Sequence, residues 1–266
     1  MLFRSEEIYL RHGRAFCDWL VRNWRPGAPL PPKVEFMPDR VVHEAKWTAM
    51  TMFHCSAMPL WHLHRITGEA VYVPPLVDAA DRILVSQRPE GAFDFIDDRR
   101  QCEPPRPHHH EGYGQGDERY IIRNDDGLAV GVLAAHRVTG DRKYLDAMVR
   151  YADWIVGRAP LERPVVGYPL QANNVWDIGR VAGKDYTGWI FEHLARYGLR
   201  YQVEGTGDVR ADGGFCGEDE EGDAGIYGGK GTDYVVTRTT CYMAGLLFRL
   251  SGLGTGAGFS VFGLGQ

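Results

Sequence analysis

His136-Arg137-Val138-Thr139-Gly140, followed by Asp141-Arg142-Lys143-Tyr144, decides the fold because it occurs twice. The earlier copy is His64-Arg65-Ile66-Thr67-Gly68. At the same offset Tyr72 meets Tyr144, Leu76 meets Met148, Ala80 meets Ala152, Asp81 meets Asp153 and Ile83 meets Ile155. A partial third copy begins at Phe248-Arg249-Leu250-Ser251-Gly252. Such a repeat marks a supersecondary unit that buries its apolar face only by stacking on its neighbours. The unit reads as helix, tight turn, helix. Residues 128–136 are apolar nearly all round, which predicts a helix buried on every side. Gly140 stops it, since glycine accepts φ > 0 just past a helix end. Asp141 then caps the next helix by accepting from its orphan N–H groups. That helix is amphipathic: Tyr144, Leu145, Met148, Val149, Ala152, Ile155 and Val156 form one stripe, with Asp146, Arg150 and Asp153 opposite.

The same alternation extends along the chain. Residues 47–63, rich in Met, Phe, Trp and Ala, predict a buried helix. Pro74-Pro75 open another that runs to about Gln87, because a proline at the first helical positions removes N–H groups that have no partner anyway. Residues 5–24 predict an opening amphipathic helix with Ile8, Phe16, Trp19, Leu20 and Trp24 among its apolar positions. Residues 186–201 predict an amphipathic helix and 232–250 a mostly apolar one. Strand patterning is weak, and only short hairpins in the Gly-rich stretches are expected. Buried helices alternating with amphipathic ones predict an all-α toroid, a ring of helical hairpins with the buried helices inside. The turns after the buried helices are tight. The connections leading into them (88–123, 158 to about 184, and 203–231) are long and rich in Gly and aromatic residues. Loops of that length are usually functional. All three are expected on one rim, where they would form the mouth of a cavity.

Composition narrows the class. At 266 residues the chain suits a single domain, read here as residues 1–266. With 44% hydrophobic residues it is neither disordered nor fibrous. A net charge of −5 gives no footprint for nucleic acid, so no nucleic-acid partner is expected. No apolar run approaches the ~20 residues that span a bilayer, and the first residues lack the apolar stretch of a secretory signal. No membrane partner is expected. The five cysteines, Cys17, Cys55, Cys102, Cys216 and Cys241, include no C-x-x-C and read mostly as small buried hydrophobes in a reduced, cytoplasmic chain.

The stretch from Asp126-Gly127-Leu128-Ala129 through Thr139-Gly140-Asp141-Arg142-Lys143-Tyr144-Leu145 to Ile155 resembles the six-hairpin (α/α)6-toroid superfamily of carbohydrate-active proteins. So do the Gly-aromatic turns Pro89-Glu90-Gly91-Ala92-Phe93 and Ala211-Asp212-Gly213-Gly214-Phe215. The resemblance covers most of the chain as architecture and implies activity on a carbohydrate. Members include glycoside hydrolases, polysaccharide lyases and sugar epimerases, and isoprenoid cyclases have related toroids. Measured against six hairpins, this chain is short. Its Gly-rich tail, 253–266, replaces the outer helix that should follow Gly252, since each glycine in a helix interior costs about 1 kcal/mol relative to Ala. The ring is expected to be incomplete and the chain to assemble as a homo-oligomer.

Four stretches carry candidate chemistry. Asp125 and Asp126 enter the buried helix at 128; glycoside hydrolysis needs one carboxyl as acid and a second as base or nucleophile. Asn124 or Asp125 serves equally as a helix cap. In Asn173-Asn174-Val175-Trp176-Asp177-Ile178-Gly179, expected in the long connection before Tyr186, Trp176 offers a stacking face while Asn174 and Asp177 bind hydroxyls. Asp177 is also a catalytic candidate. The alternative is a short buried turn with Trp176 in the core. His108-His109-His110-Glu111-Gly112-Tyr113 could bind a metal by residue type, but adjacent residues do not converge on one ion, so no metal is expected. His110 and Tyr113 are taken as substrate contacts, as is Phe93. Asp233, Tyr234 and Arg238 stand at the entrance of the apolar helix 232–250 as Asp125 and Asp126 stand at theirs. Asp233 facing Asp125 or Asp126 across the cavity is the preferred acid–base pair. Glu218–Glu221 lack EF-hand spacing, and the nearby glycines do not match a phosphate loop, so no cofactor is expected. His64 and His136, repeating beside the tight turns, read as structural; His54 lies deeper in its helix.

The leading expectation is a hydrolase of small or acidic oligosaccharides. The alternatives are a lyase or epimerase on the same scaffold, an isoprenoid-type cyclase, and a non-catalytic glycan-binding module.

Overall fold

A computed structural model describes residues 3–26, 35–36, 41–42, 50–94, 121–122, 128–157, 164–216, 235 and 237–252. The described residues are predominantly helical: α1 (Phe3–Asn23), α2 (Met50–Thr67), α3 (Val73–Val85), α4 (Leu128–Thr139), α5 (Arg142–Gly157), α6 (Pro164–Ala182), α7 (Thr187–His193) and α8 (Thr237–Leu250). No strand among them exceeds two residues; Glu35–Phe36 pairs antiparallel with Val41–Val42. They fall into two compact units. One takes in residues 1–106 and 127–148, the other 107–126 and 149–266, so the division lies within α5.

In the first unit α2, α3 and α4 pack on one another and α1 packs on α2. Ala129, Val130, Val132, Leu133, Ala134 and Ala135 of α4 are all buried, which is the all-round burial that its composition predicts. α3 starts with prolines in its first turn and buries Leu76, Ala79, Ala80 and Ile83. α2 contributes Ala57, Leu60, Trp61 and Leu63. α1 is less committed: Cys17 and Leu20 are buried, but Ile8 and Phe16 stay about half exposed.

The repeated turn is built alike in both copies. Gly68 and Gly140 have φ of 73° and 71°, a left-handed conformation that costs other residues about 1–2 kcal/mol. The Gly68 N–H donates to the His64 carbonyl at 2.7 Å and that of Gly140 to His136 at 2.8 Å. Thr67 Oγ1 donates to Leu63 O at 2.9 Å and accepts from Glu69 N at 3.2 Å; Thr139 Oγ1 donates to Ala135 O at 2.7 Å and accepts from Asp141 N at 3.1 Å. The two histidines donate from Nδ1 to the carbonyls of Glu69 and Asp141, both at 2.9 Å. These last bonds tie the end of each helix to the residue just past the glycine, so His64 and His136 hold the turn. Asp141 caps α5 through Lys143 N at 2.9 Å, as expected.

Each turn is followed by a tyrosine that reaches back to an aspartate on an earlier amphipathic helix. Tyr72 donates to Asp18 at 2.7 Å and Tyr144 to Asp81 at 2.8 Å. Burial, then the bond to the carboxylate, push both phenols up to about 12. Lys143 also pairs with Asp81, at 2.8 Å.

The second unit packs α6 against α8 and against the segment that continues α7. Here the structure departs from expectation. Residues 158–184 are not a long connection: 164–182 form α6, which runs through Pro169. The single helix expected over 186–201 is instead α7, a π-helical turn over 194–198 and a 3-10 turn over 199–201. α6 ends at Gly183 (φ 67°) and α8 at Gly252 (φ 73°). Arg180-Val181-Ala182-Gly183 is thus a further copy of the repeat, and Tyr186 after it donates to Asp153 at 2.9 Å, like Tyr72 and Tyr144. The tail 253–266 lies outside the described residues.

The glycine turn predicts one substitution with two signs. Gly140→Ala, at positive φ, lowers stability by about 1–2 kcal/mol. Gly13→Ala, in exposed helix α1 with open space around the new methyl, raises it by roughly 0.5–1 kcal/mol. Thermal unfolding of the two variants should move the midpoint in opposite directions.

Candidate functional site

The stretch 173–179 sits in the middle of α6, where the 3.6-residue period separates its side chains. Asn173 and Asp177, one turn apart, face α8. Asn173 Nδ2 donates to the carbonyls of Pro169 at 2.7 Å and Tyr242 at 3.0 Å. Asp177 accepts on both oxygens from Arg249, from Nε at 3.3 Å and from Nη2 at 3.1 Å, while Arg249 Nη1 donates to Gly245 O at 3.1 Å. Both side chains of this ion pair are buried. Asp177 is therefore a tie between α6 and α8, and it leaves the catalytic set because the guanidinium occupies both of its oxygens. Asn174 and Gln171 are buried on the same helix. Asn173 Oδ1 and Thr239 Oγ1 are buried with no hydrogen-bond partner among the described residues.

Trp176 and Arg180, also one turn apart, lie on a different face. They form one wall of a cleft of about 250 Å³. Val175, Gly179 and Ile190 supply its apolar floor, and Lys184, Asp185, Tyr186 and Thr187 its rim. The floor depends on Gly179: a Cβ there would come within 2.6 Å of the Lys184 carbonyl and 2.9 Å of the Tyr186 ring. The cleft sits at the tight turn that ends α6. The mouth of a cavity was expected at the long connections instead.

The charges of the cleft are unequal in availability. Lys184 Nζ is bound to Asp153, which also accepts from Tyr186, and lies 5.3 Å over the Tyr186 ring. Burial first, then Asp153, push the Tyr186 phenol up. Asp185 Oδ1 accepts from Thr187 Oγ1 at 2.7 Å and Thr187 N at 2.8 Å, and these bonds hold its carboxyl below the usual range. Arg180 has no ion pair or hydrogen bond among the described residues, and Trp176 no ring contact. An indole and a guanidinium without partners among the described residues thus share one wall.

The remaining candidates fall as follows. Phe93 is fully buried and offers no face for stacking, which corrects its assignment as a substrate contact. Arg238 is the second residue of α8. Asp125, Asp126, Asp233, His110, Tyr113 and Tyr234 lie outside the described residues. Arg180, Lys184, Asp185 and Tyr186 were not singled out from sequence. Their signal was available as the match of Arg180-Val181-Ala182-Gly183 to Arg137-Val138-Thr139-Gly140.

No known protein family, characterised protein or solved structure matches this chain. Among the described residues no helix is long and apolar enough to cross a membrane, and no group of three or more His, Cys, Asp or Glu could hold a metal ion.

The ion pair makes a stability prediction. Arg249→Met or Asp177→Leu alone strands a buried charge and costs about 3–5 kcal/mol, whereas the double replacement costs far less than the sum. Denaturant unfolding of the two single variants and the double variant checks it; additive losses would show that the pair is not coupled.

Proposed function

We propose that the chain is a carbohydrate-active enzyme, a glycoside hydrolase of small or acidic oligosaccharides, built on a toroid of helical hairpins. The observation that carries the reading is the cleft wall on which Trp176 and Arg180 stand without partners among the described residues. A sugar ring has an apolar C–H face and a polar rim. The indole suits the face, and a guanidinium with five donors suits the rim. The repeated hairpin, with its glycine turn and its tyrosine–aspartate bond, supports the scaffold.

The proposed catalytic carboxyls are Asp125 and Asp126, immediately before α4 in sequence, and Asp233, before α8. Asp185 is a poor general acid, because its bonds to Thr187 favour the ionised form. A non-catalytic glycan-binding module is the second reading. It is favoured by the same cleft, since Asp185 is the one carboxyl among its described lining residues and it is committed to Thr187. The charged rim of the cleft, Arg180, Lys184 and Asp185, weighs against an isoprenoid cyclase, whose cavity is hydrophobic. In this reading the protein works as a cytoplasmic homo-oligomer, and the half-exposed Ile8 and Phe16 of α1 support association.

Incubation with an oligosaccharide panel tests the proposal. A hydrolase releases new reducing ends with no gain in ultraviolet absorbance; a lyase yields an unsaturated, absorbing uronyl product. Asp125→Asn, Asp126→Asn and Asp233→Asn are each assayed, and at least one should lower kcat by roughly 10²–10⁴-fold. Near-full activity in all three would remove the acid–base assignment. Bound sugar without any product favours the binding module. A monodisperse monomer in light scattering would overturn the oligomer.

A further inference from the structure

Resting on the carbohydrate reading, which leaves neutral and acidic substrates open, we infer that the cleft at the end of α6 takes a sugar acid: a ring bearing one carboxylate, with that carboxylate on Arg180, the ring face on Trp176 and a hydroxyl donated to Asp185. Lys184 is bound to Asp153, whereas Arg180 has no carboxylate partner among the described residues. The guanidinium fork matches a carboxylate in bidentate fashion. Between them, Trp176 and Arg180 present an apolar face and an anion receptor one helical turn apart, the spacing at which side chains on a helix lie beside each other.

The rest of the rim limits the ligand to a single charge. Lys184 is neutralised by Asp153, so Arg180 is the one cation available among the described lining residues. Asp185 stays ionised, with Oδ1 held by Thr187, and repels a second negative charge while its other oxygen remains an acceptor for a hydroxyl. A sugar carboxylate meets these demands; a sugar phosphate, which is doubly charged near neutral pH, meets them poorly.

Titration calorimetry of the full chain with D-glucuronate, D-glucose and D-glucose 6-phosphate at one ionic strength tests the inference. Glucuronate should bind about tenfold or more tightly than glucose, and more tightly than the phosphate, the size of effect a charged hydrogen bond supports. Arg180→Gln should erase the gap between glucuronate and glucose. Trp176→Ala should weaken both sugars together. Arg180 is exposed and has no partner among the described residues, so its variant should unfold at the wild-type temperature, and a change in binding then reports the site. Equal binding of glucuronate and glucose, an unchanged gap in Arg180→Gln, or tightest binding of the phosphate would each overturn the sugar-acid inference and leave the carbohydrate reading standing. Binding of none of the three would also overturn the sugar-acid inference, while the oligosaccharide panel decides the carbohydrate reading.

Discussion

A helix ends with carbonyls that have no partner in the next turn, and this chain satisfies them in one recurring way. The left-handed glycine lets the backbone reverse sharply, its N–H returns to a carbonyl four residues back, and in the first unit a threonine and a histidine take further carbonyls around the turn. The next helix therefore begins within a few residues. A slack connection there would leave both helices without a fixed register. The tyrosine three or four residues after the glycine depends on that register. Only a tight turn brings the hydroxyls of Tyr72, Tyr144 and Tyr186 to Asp18, Asp81 and Asp153. The turn sets where each amphipathic helix starts, and the tyrosine fixes it to an earlier one.

α6 shows how one helix serves packing and recognition together. Side chains four apart share a face, and side chains one apart do not. Asn173 and Asp177 tie the helix to α8, whereas Trp176 and Arg180 line the cleft. The two roles sit on adjacent residues and remain separable, because about 100° of rotation divides them. Gly179 completes the arrangement. By lacking a side chain it lets the chain after Gly183 fold back onto the helix, and this brings Lys184 and Tyr186 to the rim.

That geometry also explains what could be read from sequence. The turn at Gly140, the cap at Asp141, the prolines opening α3 and the all-round burial of α4 were legible because each rests on local chemistry or on period. α6 was not. Residues 158–184 read as a connection, yet α6 starts at Pro164 and runs through Pro169 and the Asn173-Asn174 pair because burial of Tyr168, Leu170, Ala172, Val175 and Ile178 outweighs local preference. Within the site, Trp176 was legible by type. Asp177 was misassigned because neighbours in sequence were read as neighbours in space. Its partner Arg249 lies far along the chain, in the partial third copy of the repeat, and no local rule connects the two. Phe93 was misassigned because an aromatic after a glycine turn serves the core as readily as a ligand. Arg180 was overlooked as one arginine among many; only alignment of its turn with the other copies sets it apart.

The charge state of the cleft traces back to the same repeat. Asp153 occupies, at the repeat offset, the position of Asp81, and it accepts the tyrosine of the following turn just as Asp81 does. In both copies a lysine joins the pair: Lys143 on Asp81, Lys184 on Asp153. The lysine at the rim is thus bound by a structural device inherited from the scaffold. It does not belong to the binding equipment. What distinguishes the Gly183 turn from its relatives is the wall beside it, where Trp176 and Arg180 are left without partners among the described residues. A repeat that neutralises one cation and leaves another exposed against an indole has produced a selective surface by subtraction. The scaffold's own bonds decide which charges remain to meet a ligand.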